Sequence, residues 1–534
     1  MTTKLSRRRF LILGSATALA AACAPSTSGA PGASASAGGG AAGTPQKGGS
    51  LTFALDSDIS DLDPMMSSLF VDRNIHYQMY DSLVRINAKG EIIPGLATKW
   101  TTSSDGKSVT FELRQGVKYQ DGTAFDAASV KWNLDRYRQK GSHRTGELAP
   151  VESVDVVDPK TVKVDLKSPF APFLSILVDR AGMMVSQKVV EAMGKDFTVH
   201  PYKAGTGAFI LTEAVKSDHY TLTRNPDYWE KDKAGNALPY LDSITFKPIL
   251  DPNVRLTNVR TGQAQVLTRM SGKDIPTVKS DSTLTFTQTS AYGWDSMIPN
   301  RSPGALFSEG RYVKAVSMAL DREQLLNDGP AKGVGAVGYG PYAPSHFCYD
   351  PSFKPYPKAD PAGAKKLIDE VGKGPLTFEL LVPSGSPDTL QLAQLIQSQL
   401  KNAGITMNIK TELFNQIVKI SEQHQQPGMS LYGWSGRIDP DQNTYDFVVT
   451  GQPNNDSAYS NTQVDQLMKQ QRTETDQSKR TTDLRKAQQI FVVDDPARIW
   501  YDFAASILLT VKAVQGLDAY PDQIARLEYG WLKK

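Results

Sequence analysis

Several short patterns in this sequence carry residue types that could do chemistry, and their spacing rejects most of them. Gly333-Val334-Gly335-Ala336-Val337-Gly338 matches the letters of a dinucleotide-binding fingerprint. Such a site needs a strand before it and a helix after it, so that the pyrophosphate meets free helix N–H groups. Here Gly329-Pro330 precedes and Gly340-Pro341 follows, so the stretch is expected to be a loop. Gly106-Lys107-Ser108 ends like a phosphate-binding loop, but Thr101 stands where the first glycine belongs. Gly433-Trp434-Ser435-Gly436-Arg437 has Arg437 in place of the last glycine of a nucleophile elbow. His76, His143, His200, His219, His346 and His424 are scattered, with no pair at metal-ligand spacing. With no nucleophile–base pair and no metal cluster, the expectation is a protein that is not an enzyme and needs no cofactor.

What remains is aromatic and polar. Tyr292-Gly293-Trp294 lies just before Asn300, and Tyr432-Gly433-Trp434 just before Arg437 and Asp439-Pro440. Flat apolar side chains beside a few polar groups suit the lining of a closed ligand cavity. Core packing is the competing reading for each aromatic. The Arg437 guanidinium is a planar fork suited to carboxylates, with a local pair to Asp439 or Asp441 as its alternative role.

The first residues read as an address. Lys4 and Arg7-Arg8-Arg9 form a basic start, and the apolar run Phe10–Ala22 falls short of the roughly 20 residues a membrane span needs. Ser6-Arg7-Arg8-Arg9-Phe10-Leu11 resembles a twin-arginine export signal. Leu19-Ala20-Ala21-Ala22-Cys23 resembles a lipobox, with Ala20 rather than Leu19 three residues before the cysteine. Residues 24–46 are almost entirely Ala, Ser, Gly, Pro and Thr, a flexible tether with a reach of about 27 Å. The whole chain carries a formal +3, and residues 1–22 hold four basic and no acidic groups, which leaves −1 for the remainder. That near-neutral balance argues against nucleic acid. The two cysteines are Cys23 and Cys348, so a lipidated Cys23 leaves no disulfide framework.

The elements that must position the aromatic stretches are well punctuated. Lys89-Gly90, Pro94-Gly95, Asp105-Gly106 and Asp121-Gly122 mark turns, and Val109–Leu113 alternates as a strand. Asp126 stands as the N-cap of a helix Ala127–Tyr137, and an earlier helix is expected from about Ser67 to Tyr80. Further on, the pattern predicts a helix Arg311–Leu326 and a long loop over about 329–358. A strand–helix–strand unit follows at Leu376–Val382, Asp388–Ala403 and Thr406–Glu412, then helices at Thr462–Glu474 and Lys479–Val493.

Four pieces in order carry a resemblance. Tyr80-Asp81-Ser82-Leu83-Val84, the run Pro94–Trp100, the block from Ser104 to Phe125, and Asn225-Pro226-Asp227-Tyr228-Trp229 together resemble family 5 extracytoplasmic solute-binding proteins, the peptide-, opine- and nickel-type receptors of ABC importers. The resemblance covers roughly residues 48–510. It implies an α/β, two-lobed periplasmic-binding-protein fold (type II, cluster C) with an extra domain in the first lobe. The implied division is signal peptide 1–22, tether 23–47, first lobe 48–85, 204–297 and 506–534, extra domain 86–203, and second lobe 298–505. It further implies a monomer, held at the membrane by lipid on Cys23, which closes on a solute and docks on a permease driven by a separate ATPase. The ligand set implied by position is Tyr292, Trp294, Tyr432, Trp434, Ser435, Arg437 and Asp439. The family's second segment carries an aspartate that pairs with a peptide's α-ammonium; Arg437 falls there and is expected to favour an anionic group. An opine, a sugar, a metal chelate, or a role as a solute sensor are alternatives that the resemblance leaves open.

Overall fold

Two twisted mixed sheets and one smaller antiparallel sheet carry the architecture. A computed structural model describes residues 43–534. The export segment, Cys23 and residues 24–42 of the tether lie outside the described residues. Among the described residues no helix is long and apolar enough to cross a membrane.

The first sheet has seven strands in the order Leu284–Ser290, Ala505–Val511, Val266–Leu267, Ser50–Leu55, Ser243–Pro248, His219–Arg224 and Phe209–Val215. Its central strand Ser50–Leu55 buries Leu51, Phe53, Ala54 and Leu55, as a strand covered on both faces must. The second sheet has six strands in the order Ala336–Val337, Ile499–Phe503, Trp294–Pro299, Met429–Trp434, Thr377–Pro383 and Thr406–Glu412. The third is the four-stranded sheet Ala97–Thr102, Ser108–Leu113, Thr161–Leu166 and Val151–Asp158, with Ala127–Tyr137 packed against it. We call the bodies built on these sheets lobe I, lobe II and the extra domain.

The turn-and-cap reading holds in this last body. Asp126 accepts from the Ser129 N–H at 2.9 Å, and the Ser129 hydroxyl lies 3.2 Å from the Asp126 N–H that it caps in return. This reciprocal pair satisfies two of the helix's free N–H groups. The expected helix Arg311–Leu326 is instead two helices, Gly310–Met318 and Arg322–Asp328. Asp321 adopts an extended backbone between them and caps the second by accepting from the Gln324 N–H at 2.9 Å. The helix expected from Ser67 begins only at Asp72, because the Ser67 hydroxyl donates to the Asp72 carboxylate and the chain before it turns. The helix expected over Lys479–Val493 runs Gln477–Gln489 and ends in a wide π turn to Asp494. Gly333–Gly338 carries the two-residue edge strand Ala336–Val337 and no helix follows it.

Two of the motif pieces read in the sequence meet in space within lobe I, and Arg114 of the extra domain packs against them. Asp81 accepts from Trp229 Nε1 at 2.8 Å and from the Thr206 hydroxyl at 3.0 Å. Arg85 holds Glu230 with two hydrogen bonds of 3.0 and 2.9 Å, while Arg114 stacks 4.1 Å from the Trp229 ring. Gly205 passes so close to this helix end that an added Cβ would lie 1.8 Å from the Met79 carbonyl oxygen. Asp81, Arg85 and Trp229 are therefore packed into the scaffold.

Candidate functional site

Lobe II is joined to lobe I by two adjacent stretches of chain. Ala291–Gly293 links Leu284–Ser290 to Trp294–Pro299, and Ala504 links Ile499–Phe503 to Ala505–Val511. The flanking strands are antiparallel neighbours on both sides of the crossing, with Ser290 opposite Ala505 and Asp295 opposite Asp502. Both aromatic stretches lie here, since Trp294 and Trp434 are register partners at the end of their strands.

The structure gives the expected site residues different surroundings. Trp294 is 2 % exposed and belongs to the core of lobe II. Its ring meets Phe447 edge-on at 5.1 Å and Trp500 at 6.1 Å, and its Nε1 donates to the Asn443 carbonyl at 3.3 Å. Tyr292 is equally buried, with its ring 5.1 Å from His346 and its hydroxyl donating to the Gly90 carbonyl of the extra domain at 3.4 Å. Tyr432 donates to Asp456 at 2.8 Å and borders a cavity of about 350 Å³ beside Asp295 and Asp502. Asp439 is held by Arg480 through bonds of 2.7 and 2.5 Å.

Trp434, Ser435 and Arg437 stay together. The Arg437 guanidinium stacks 4.7 Å from the Trp434 ring, and its Nη1 donates to the Gly436 carbonyl at 2.8 Å and to the Ser435 hydroxyl at 3.3 Å. The local pair expected with Asp439 or Asp441 does not form. Arg480 occupies the first carboxylate, and Arg472 the second at 3.0 Å. The carboxylate nearest Arg437 is Asp179 of the extra domain, 4.0 Å from Nε across the gap between lobes. Burial opposes ionisation of Asp179, but Arg73, Arg180 and Arg437 outweigh it and hold the carboxyl below its usual range.

Residues that the sequence did not single out hold this segment in place. His346 Nδ1 accepts from the Ala343 N–H at 2.9 Å, and its Nε2 lies 2.9 Å from the Arg437 carbonyl and 2.7 Å from the Asn443 side-chain nitrogen. Burial pushes the pKa of His346 down to about 4, so the ring is neutral at pH 7. The Asn443 side-chain oxygen accepts from the Arg437 N–H at 2.9 Å. Gly436 has φ +79°, and an added Cβ would stand 2.2 Å from the Tyr292 carbonyl carbon, so only glycine fits. Asn443 lies within one turn of the segment and was within reach of local reasoning; His346, Asp179 and Arg480 come from distant chain and carried no spacing signal.

Lobe II also touches the extra domain directly. The Ala171 N–H donates to the Arg472 carbonyl at 2.8 Å and the Ser175 hydroxyl to Gln442 at 3.1 Å. Between these bodies lies a cavity of about 580 Å³ with Phe170, Leu174 and Val109 on one side and Phe347 and Ile438 on the other. Its polar lining includes Ser175, His346, Asp439 and Arg480 together with Lys89, Glu91, Glu474 and Gln477, and its size is that of a small-ligand site.

Residues 91–456 match the family described as bacterial extracellular solute-binding proteins, family 5. The chain is a family 5 extracellular solute-binding protein. This solute-binding protein is similar to the glutathione-binding protein GsiB of Escherichia coli O157:H7, 27 % identical over 542 residues that cover 98 % of each chain. GsiB of Salmonella typhimurium is 29 % identical over 489 residues, 88 % of this chain and 92 % of that one. Among solved structures, the ABC transporter substrate-binding protein CtaP of Listeria monocytogenes superposes with a TM-score of 0.81 at 22 % identity, over 92 % of this chain and all of that one. The binding protein DppA of Helicobacter pylori, in complex with the peptide STSA, gives 0.77 at 22 % identity, over 92 % and 99 %. The family 5 solute-binding protein therefore has the two-lobed fold of periplasmic binding proteins, and its relatives are binding proteins rather than enzymes.

Proposed function

We propose that the protein captures a peptide or peptide-like solute between its lobes and delivers it to the permease of an ABC importer. The observation that carries this reading is the pair of adjacent strand crossings, with one cavity between the lobes they join and a larger one between lobe II and the extra domain. Lobes joined in this way can separate and close about one line, and a solute that binds better to the closed arrangement shifts the population toward it. The similarity to glutathione-binding and peptide-binding receptors supports a small peptide as the solute. In this reading the contact surface runs from Tyr432 on the smaller cavity through Trp434–Arg437 to Asp439 on the larger one. Mass spectrometry of small molecules released by denaturing the purified protein is expected to recover a peptide. Adding that peptide back should raise the melting temperature, by the equivalent of about 2.7 kcal/mol at a hundredfold excess over Kd. A solute that comes back chemically altered after incubation would remove the receptor reading.

In this reading Cys23 is lipidated and residues 24–46 tether the protein, as a monomer, to the outer face of the cytoplasmic membrane or within the periplasm. Labelling with a fatty acid is expected for the wild type and absent for Cys23→Ala, which should also leave the membrane fraction. Label persisting in the variant would place the anchor elsewhere.

A further inference from the structure

The two strands that carry the chain between the lobes meet at a pair of carboxyl groups. Asp295 lies two residues past Gly293 and Asp502 two residues before Ala504, and they are register partners on adjacent antiparallel strands. Side chains so placed stand on one face of the sheet, with Cβ atoms about 5 Å apart. Here the two carboxyl groups are within hydrogen-bonding reach of each other. The register slips directly beyond the pair, where Ser296 is opposite Trp500 and Tyr501 is left over. Such a bulge bends the strand and increases its twist. Gly433 faces Asp295 from the next strand and leaves the carboxyl its room, since an added Cβ would collide with Asp295 Oδ1.

Little else satisfies these acids. They border the cavity of about 350 Å³, whose walls come from lobe I through Met270, Ile275 and Ile507 and from lobe II through Leu392 and Leu431. Asp502 Oδ1 is buried without a hydrogen-bond partner. Three other titratable groups stand on the cavity wall. Asp388 accepts from the Ser271 hydroxyl at 2.7 Å, Tyr432 donates to Asp456 at 2.8 Å, and burial keeps the Tyr501 phenol un-ionised. Lys273 and Asp274 of lobe I and Lys332 of lobe II lie outside the lining, with Lys332 donating to the Asp328 carbonyl at 2.9 Å. Arg269 is the cation whose charge reaches Asp295. Its guanidinium is 3.6 Å from Asp56, stacks 4.4 Å from the Phe70 ring, and is 43 % exposed. Burial raises both carboxyls, and the Asp295 charge lifts Asp502 further, well above the usual carboxylate range. Two buried carboxylates side by side do not both ionise against so weak a counter-charge, so the pair holds one proton across a hydrogen bond.

We propose that Asp295 and Asp502 form a proton-binding site at the hinge, filled when the lobes are closed and emptied when they part, so that solute capture takes up one proton. This rests on the solute-capture reading. The sign follows from burial. Closing the lobes removes water from the cavity and favours the protonated pair. Opening them hydrates both carboxyls and returns them toward the ordinary value of about 4. Between that value and the raised one of the closed arrangement, a rise in pH takes stability from the closed arrangement alone. Capture is therefore favoured on the acid side and release on the alkaline side.

The probe is a pool of tripeptides built from Gly, Ala, Ser and Leu with free termini, whose own charges change little between about pH 5 and 7. Equilibrium dialysis read by mass spectrometry gives their affinities for the purified protein across that range. Wild-type affinity is expected to fall with rising pH, by up to about tenfold per unit for one proton. Asp502→Asn should flatten that slope, and the double variant Asp295→Asn/Asp502→Asn should abolish it, each first checked by melting to be folded. Titration calorimetry of the wild type with its best-retained tripeptide, in two buffers of different ionisation heat, should count about one proton taken up. Wild-type affinity indifferent to pH, no proton uptake, or a slope that persists unchanged in the double variant would overturn the proton site and leave capture standing. Binding of no tripeptide by the wild type at any pH in this range would overturn both.

Discussion

Asp439→Ala is expected to destabilise the protein by about 3–5 kcal/mol, the cost of stripping one partner from a buried ion pair. Arg480 is only 6 % exposed at its side chain and gives Asp439 two hydrogen bonds, so the substitution strands a guanidinium beside the 580 Å³ cavity. The same carboxylate accepts from the Asp441 N–H at 2.9 Å and so caps the turn Pro440–Asn443. Loss of that cap adds about 1 kcal/mol. Urea unfolding of wild type and variant measures the difference. A loss below about 1 kcal/mol together with weakened solute binding would move Asp439 from the scaffold of the site into direct contact with the solute.

Trp294→Ala should cost about as much, 3–5 kcal/mol on the scale of large aromatic truncations in cores. The indole fills space between Phe447 and Trp500, lies 5.5 Å from the Arg498 guanidinium, and loses its hydrogen bond to Asn443. A Trp294 that lined the cleft would instead leave stability nearly unchanged and lower affinity. Thermal melts and solute titrations on the same variant separate the two outcomes. Trp434, half-buried and stacked under Arg437, is the tryptophan expected to report solute binding by fluorescence.

Much of the fold was legible because local rules govern it. The Asp126 cap, the turns before Phe125 and the strand–helix–strand unit beginning near Leu376 depend on neighbours within a few residues, and all are present. Element ends were less legible where a tertiary contact decides them. Asp321 breaks a helical pattern that looks continuous, and its backbone N–H finds Gln399 on a distant helix at 2.9 Å. The candidate site divides the same way. Trp434, Ser435 and Arg437 are close in sequence and remain together in space. Trp294 has the same letters around it as Trp434 but faces the interior, because Phe447 and Trp500 arrive from other parts of the chain. The fate of Arg437 turns on Asp179, Arg472 and Arg480, none of which any spacing rule connects to it.

The two strand crossings also set an order of assembly. Lobe II is one uninterrupted insertion from Trp294 to Phe503, and its first and last strands lie side by side, so its sheet contains everything it needs once that stretch of chain exists. The seven-stranded sheet of lobe I is different. Ala505–Val511 occupies an interior position between Leu284–Ser290 and Val266–Leu267, which leaves a strand-wide slot until the chain beyond lobe II arrives. A chain made from its N-terminus therefore holds an open, unpaired sheet edge through the synthesis of all of lobe II, and edges of that kind invite pairing with other chains. Lobe I, though begun first, closes last.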